Sequence, residues 1–126
     1  MHSHLSFENP PAEPHEVVVE TLERALRDRT AAGEAANVLV GSALNDDVEF
    51  VEHWCVQIGT RAAPGSPLLG LAGLCLGHTA RRFGRLSEEA LALSKSLAAR
   101  AEADPSDVDG RAVDGYDDVR DFLHLW

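Results

Sequence analysis

The chain has few cysteines and few aromatic residues, and both shortages restrict the kind of core it can build. Its two cysteines, Cys55 and Cys75, fall on apolar faces of predicted helices, where we expect small buried hydrophobic residues. Because 126 residues can bury a core without disulfides, one compact domain is expected. The aromatic share of 6% favours a core of alanine, leucine and valine between close helices.

Basic residues are also scarce. Lysine and arginine total 11 against 21 aspartates and glutamates, which gives a formal net charge of −10. This charge repels a phosphate backbone, so nucleic-acid binding is not expected. A basic protein partner would be attracted instead.

No apolar segment is long enough for a membrane helix. The longest nearly apolar run, Leu68 to Leu76, is far shorter than the roughly 20 residues needed to span a bilayer. Residues 1–12 are polar and proline-rich, without the apolar stretch of a secretory signal. We therefore expect a disordered tail over residues 1–12, a folded domain over residues 13–126 and a cytoplasmic location.

Recognisable catalytic motifs are missing as well. The chain contains no G-x-S-x-G, H-E-x-x-H, C-x-x-C, P-loop or strand-linked G-x-G-x-x-G pattern. A carboxylate pair such as Asp117 and Asp118 would need a pocket to shift one pKa, and an exposed helix face rarely provides one. We predict no enzyme activity, no cofactor and no metal site.

A threefold repeat of small and apolar residues is the strongest positive signal. The spacing of about forty residues is typical of helix-pair repeats, which bury their apolar faces by stacking on one another. The sequence therefore predicts an all-α, short HEAT-like α-solenoid of about six helices. The repeated positions are Ala36/Val40/Ala43, Ala72/Leu76/Thr79 and Ala112/Tyr116/Val119.

Capping residues divide the chain into six predicted helices and no strands. Proline, glycine and serine mark most boundaries, since they cap, begin or end helices. Phe122 and Trp126 are expected to cover the open end of the stack. The predicted helices run from Glu13 to Gly33, Glu34 to Asn45, Asp46 to Gly59, Pro67 to Phe83, Ser87 to Asp104 and Asp107 to the end.

Two segments resemble small bacterial HEAT-like proteins. The first ends a helix with CLGHTAR and continues to Gly84 and Leu86; the second is GRAVDGYDDV, from Gly110 to Val119. Over residues 34–123 the chain is similar to this group, which includes immunity proteins that neutralise polymorphic or contact-dependent toxins by direct binding. Tyr116 and Val119 depart from the usual leucine and isoleucine.

Four carboxylates, Asp114, Asp117, Asp118 and Asp121, lie within about 100° of one another on the last predicted helix. Such like charges destabilise a helix by roughly 0.2 to 0.5 kcal/mol per pair, so a compensating charge is expected. Three sources remain open: arginines of the preceding repeat, a basic partner, or a divalent metal ion. The arginines in question are Arg81, Arg82 and Arg85.

A second acidic group begins the third predicted helix. Asp46, Asp47 and Glu49 oppose the helix dipole there, whereas together with Glu52 they could also contact a partner. Trp54 is expected in the core, with an interface role as the alternative. His78 is expected to be a hydrogen-bonded structural histidine, because it lacks further ligands at metal spacing.

These observations predict a protein-binding module. The resemblance implies an immunity protein, whose acidic face from the third and sixth helices would engage a basic toxin domain such as a nuclease. The alternative is a HEAT-like scaffold or adaptor that binds an endogenous protein or peptide in its concave groove. A metal-dependent regulator or enzyme using His78 and the aspartates is the third interpretation, and self-association is left open.

Overall fold

The computed structural model describes residues 10–125 and is all-helical over that range. Six α-helices and one short 3₁₀ turn, Arg29–Ala31, occur there, without any strand. The predicted all-α class and number of helices are therefore confirmed. The helices are α1 (His15–Arg27), α2 (Ala32–Asn45), α3 (Val48–Arg61), α4 (Pro67–Phe83), α5 (Glu88–Ala103) and α6 (Arg111–Leu123).

Short polar side chains begin three of these helices. Ser66 and Ser87 each accept a backbone N–H of the following turn, which caps α4 and α5 as predicted. Asp47 caps α3 in the same way, one residue later than the predicted Asp46. At the end of α4, Gly84 adopts a left-handed conformation with φ of 69°, which glycine accepts without strain.

The first predicted helix is too long. It ends at Arg27 instead of Gly33, because Asp28 turns the chain into the 3₁₀ segment. The Asp28 carboxylate accepts hydrogen bonds from both the amide and the hydroxyl of Thr30, a local alternative to helical pairing. Gly33, the predicted terminator, lies inside α2.

The last helix begins later than predicted, at Arg111 instead of Asp107, although Val108 before it is fully buried. Phe122 does not close the end of the fold, because it remains 43% exposed. Trp126, its predicted companion, lies outside the described residues. Residues 1–9 of the predicted tail lie outside them too.

Helix α4 is the central element, as its nearly all-round apolar sequence predicts. It packs against α2, α3, α5 and α6, and its contact with α6 is the most extensive in the described chain. The core between these helices includes Leu39, Leu76 and Leu97, and it also buries Trp54, Cys55 and Cys75. The expected burial of the tryptophan and of both cysteines is confirmed.

Glycines make the close contact between α4 and α6. A Cβ added at Gly73 would lie 2.8 Å from the Cα of Ala112, and one at Gly77 would lie 2.8 Å from the Cα of Gly115. On the opposite side, a Cβ at Gly115 would overlap the carbonyl oxygen of Gly73. The two backbones therefore touch directly, which no larger residue at these positions would allow.

The segment before α1 packs against α2. The Asn45 side-chain amide donates to the carbonyl oxygen of Pro10 at 3.0 Å, and Gly41 leaves room for the carbonyl of Pro11. None of the helices within residues 10–125 combines the length and apolar character needed to cross a membrane.

Candidate functional site

The acidic residues at the junction between α2 and α3 take part in the fold. Asp46 accepts hydrogen bonds from Nε2 of His15 at 2.9 Å and from the amide of Asp47 at 2.8 Å. Asp47 in turn accepts the amide of Phe50 at 2.8 Å, which caps α3. Both carboxylates therefore accept hydrogen bonds within the fold. Helix capping accounts for the one at Asp47.

Glu49 and Glu52 lie in the first and second turns of α3. The Glu52 carboxylate accepts the backbone amide of Ser87 at 3.0 Å, which ties α3 to the beginning of α5. The Glu49 side chain is 78% exposed, and its nearest cation is Arg85 at 3.7 Å. Of this acidic group, Glu49 therefore has the least engaged carboxylate.

The junction also brings three potential metal donors together. His15, Asp46 and Asp47 place one nitrogen and two carboxylate oxygens within 4.8 Å of one another. The His15 ring is stacked on Phe50, with 3.6 Å between the ring centroids. The pair of His15 with Asp46 joins the first residue of α1 to the beginning of α3, so these donors already have a structural contact.

The contact between His15 and Asp46 shifts the pKa of both groups. The hydrogen bond with Asp46 raises the pKa of His15 above its usual 6.5. Burial raises the pKa of Asp46, but the hydrogen bonds from His15 and Asp47 outweigh it and hold that pKa below 3.8. Both groups are charged in the fold between these limits.

We expect the pair to contribute its full stability between about pH 3.8 and 6.5. The contribution declines as pH rises through the raised pKa of His15, and also as pH falls through the lowered pKa of Asp46. Replacing His15 by Gln should therefore lower the Tm more at pH 5.5 than at pH 8.5. Thermal unfolding of the wild type and the variant at both pH values measures the difference. An equal loss of Tm at pH 5.5 and at pH 8.5 would contradict a charged pair.

The acidic group on α6 divides into one paired carboxylate and three unpaired ones. Asp118 accepts a hydrogen bond from Arg81 at 2.8 Å, so an arginine of α4, one of the three sources left open, compensates this one carboxylate. Asp114, Asp117 and Asp121 are exposed, and their side chains form no hydrogen bond or ion pair with any described residue. A strip of three uncompensated negative charges thus faces solvent along α6.

An exposed aromatic ring borders this strip. Phe122 follows Asp121 directly, and the guanidinium carbon of Arg81 lies 5.7 Å from its ring centroid. Arg81 also binds Asp118, so the same guanidinium contacts the ring and the paired carboxylate of α6. We call Asp114, Asp117, Asp121 and Phe122 the α6 surface. Its aromatic member was not predicted as exposed, since Phe122 was expected to cover the open end of the stack.

Arginines at the end of α4 lie between the two acidic groups. Arg81 pairs with Asp118 of α6, whereas Arg85 approaches Glu49 of α3. Arg82 donates to the carbonyl oxygen of Ala43 at 3.3 Å, near the end of α2. Helices α3 and α6 each pack on α4 and make no extensive contact with each other. The predicted acidic face of α3 and α6 is therefore interrupted by positive charges.

His78 lies on α4 beside the same arginines. Its Nδ1 atom is buried and has no hydrogen-bond partner among residues 10–125, so the expected hydrogen bond is not found at this atom. Burial, followed by the charge of Arg81, holds the pKa of His78 below its usual value. Near neutral pH the ring is uncharged and adds no positive charge to the α6 surface.

Surface pockets lie on two other parts of the described surface. Two pockets on α2 and at the start of α4 share the lining residues Gly33 and Ala36 and are lined mainly by small and apolar residues. A groove of about 340 Å³ lies between α3 and the beginning of α5. The lining of this groove is Glu49, Glu52, His53, Val56, Gln57, Ser87 and Glu89.

Comparison with known proteins adds no relative: no family model matches the chain, and neither a curated protein nor a solved structure is detectably similar to it.

Proposed function

We propose that this chain is a non-enzymatic protein-binding module whose α6 surface engages a basic protein. The more specific role that we propose is that of an immunity protein, which neutralises a basic toxin domain, for example a nuclease, by direct binding in the cytoplasm. Resemblance of residues 34–123 to small bacterial HEAT-like proteins suggests this role, and the chemistry of α6 supports it.

The observation that carries the proposal is the unpaired charge on α6. Asp114 and Asp117 are three residues apart, and Asp117 and Asp121 are four apart, so neighbouring carboxylates repel each other along one face. A basic partner would relieve this repulsion and accelerate association by electrostatic attraction. Phe122 beside them offers the apolar anchor that such interfaces commonly contain.

A HEAT-like stack of helix pairs is the arrangement we propose for the scaffold. In its support, α2, α4 and α6 pack in succession, and α3 packs both on α4 and on α5. Each of α1, α3 and α5 also packs on the helix that follows it. This order is the one that stacked pairs would produce.

Co-expression of the chain with a toxic basic domain tests the proposal. The chain should protect cells from the toxic, basic carboxyl-terminal domain of a secreted protein encoded beside it. The double variant Asp117→Lys, Asp121→Lys should lose that protection, because it replaces two attractive charges with repulsive ones. The matched control Glu20→Lys, Glu102→Lys makes the same charge change at exposed sites on α1 and α5 and should still protect. Equal protection by both variants would contradict the proposal.

The pockets on α2 support a second candidate, a scaffold or adaptor that binds an endogenous peptide. Gly33 and Ala36 line both pockets on this side of α2, and Val40 and Leu71 add to their apolar lining. Binding there would depend little on salt and would survive the double α6 substitution. An affinity that is unchanged between low and high salt would therefore favour the adaptor.

A further inference from the structure

Three of the seven residues that line the groove between α3 and α5 are glutamates. On α3, Glu49, Glu52, His53 and Val56 follow one another at intervals of three, one and three residues, which places them on one helix face. Glu89, at the beginning of α5, faces them across the groove. Three carboxylates thus surround a volume of about 340 Å³.

Packing between the two helices fixes the walls of this groove. A Cβ at Gly59 would lie 2.6 Å from the Leu93 side chain, so α3 and α5 are in close contact at that end. At the other end, the hydrogen bond from the Ser87 amide to Glu52 holds the helices together. The groove is therefore preformed and does not require a rearrangement to admit a ligand.

The charge of the groove is not neutralised from within. No lysine or arginine is among its lining residues in the described part of the chain. Arg85 lies beside it, 3.7 Å from Glu49, and its side chain is 67% exposed. Val56 provides an apolar wall, against which the aliphatic part of a lysine or arginine side chain can pack.

We propose that this groove binds a basic segment of a protein partner, with an arginine or lysine side chain between Glu49, Glu52 and Glu89. The proposal rests on the proposed function, since it adds a second contact for the same basic partner. A guanidinium suits the site because it donates to two carboxylates at once while its stem contacts Val56.

Nuclear magnetic resonance titration with a short probe peptide tests this binding. The probe is the amidated hexapeptide acetyl-GRGKGR at 150 mM NaCl, added to the 15N-labelled full chain. Shift changes should be confined to amides of the α3 face around Glu49 to Val56 and of the first turn of α5. The variant Glu49→Gln, Glu89→Gln should raise the Kd of the peptide roughly five- to tenfold, because each exposed pair contributes modestly.

A matched variant separates this groove from general attraction to an acidic protein. The variant Asp117→Asn, Asp121→Asn removes the same charge from α6 and should leave the Kd for the peptide within about twofold. Equal weakening by both variants, or shift changes spread over the acidic surface, would overturn the groove proposal. If spermidine produced the same shifts at equal affinity, the groove would be a polyamine site, and the groove proposal would be overturned as well.

The two proposals fail in different ways. If the basic domain binds and the α6 variants abolish that binding while the peptide does not map to the groove, only the groove proposal is wrong. If the peptide maps to the groove while the basic domain does not bind the chain, the proposed function is wrong.

Discussion

Replacing Gly115 by Ala should lower the free energy of unfolding by about 3 kcal/mol, at the upper end of the range for overpacking a close contact. The added Cβ would overlap the carbonyl oxygen of Gly73, which is backbone and cannot rotate away. Helices α4 and α6 would have to separate, and their contact is the most extensive in the described fold. Urea denaturation of both proteins measures the change.

The variant Gly33→Ala is the matched control. Gly33 lies in α2, and an added Cβ there would meet no atom within 4 Å. Because alanine favours helix over glycine, this variant should be as stable as the wild type or more stable by up to about 1 kcal/mol. A Gly115→Ala protein as stable as Gly33→Ala would contradict direct backbone contact between α4 and α6.

Replacing Phe122 by Ala should weaken binding of the basic partner about 30-fold, which corresponds to about 2 kcal/mol. The ring is 43% exposed in the free protein and stands beside Arg81, so it can enter a partner surface without refolding of α6. Its contribution is apolar and should persist at high salt, where the contribution of the neighbouring aspartates declines. Calorimetric titration at two salt concentrations separates the apolar contribution of Phe122 from the electrostatic contribution of the aspartates.

Val17 on α1 provides the comparison for Phe122. Its side chain is 41% exposed, close to the exposure of Phe122, but it lies on another helix. Val17→Ala should leave the affinity within about twofold of the wild type. If Val17→Ala lost as much affinity as Phe122→Ala, exposed apolar area in general would decide binding, and not the α6 surface.

Local chemistry made the helix boundaries predictable where one residue determines them. Ser66 and Ser87 cap their helices through their own side chains, and Gly84 ends α4 through its own conformation. The predicted end of α1 at Gly33 is wrong, because the chain leaves the helix already at Asp28. The bonds from Asp28 to Thr30 decide that boundary, and a helical pattern does not reveal them.

Contacts between distant helices could not be derived from periodicity. The nearly all-round apolar sequence of α4 identified it as central, but the close approach of Gly73 and Gly115 depends on how α4 and α6 cross. The acidic groups illustrate the same limit. Spacing placed the aspartates on one face of α6, whereas only the fold reveals that Asp118 is paired with Arg81 and Asp117 is not.

The structural roles of α3 carboxylates were equally hidden in the sequence. Asp46 binds a histidine 31 residues earlier, and Glu52 binds the amide of Ser87, 35 residues later. These contacts engage part of the predicted acidic set in the fold itself. Asp114, Asp117 and Asp121 of α6 are left without a contact among the described residues, and they therefore define the surface that the proposed function uses.

Calorimetric titration of the basic domain with the wild-type chain and with the Asp117→Lys, Asp121→Lys variant tests the central claim most directly. The proposal predicts that the wild type binds one domain per chain more weakly as salt rises, and that the variant loses affinity by about 100-fold at low salt. Equal affinities of the two proteins at every salt concentration would contradict it.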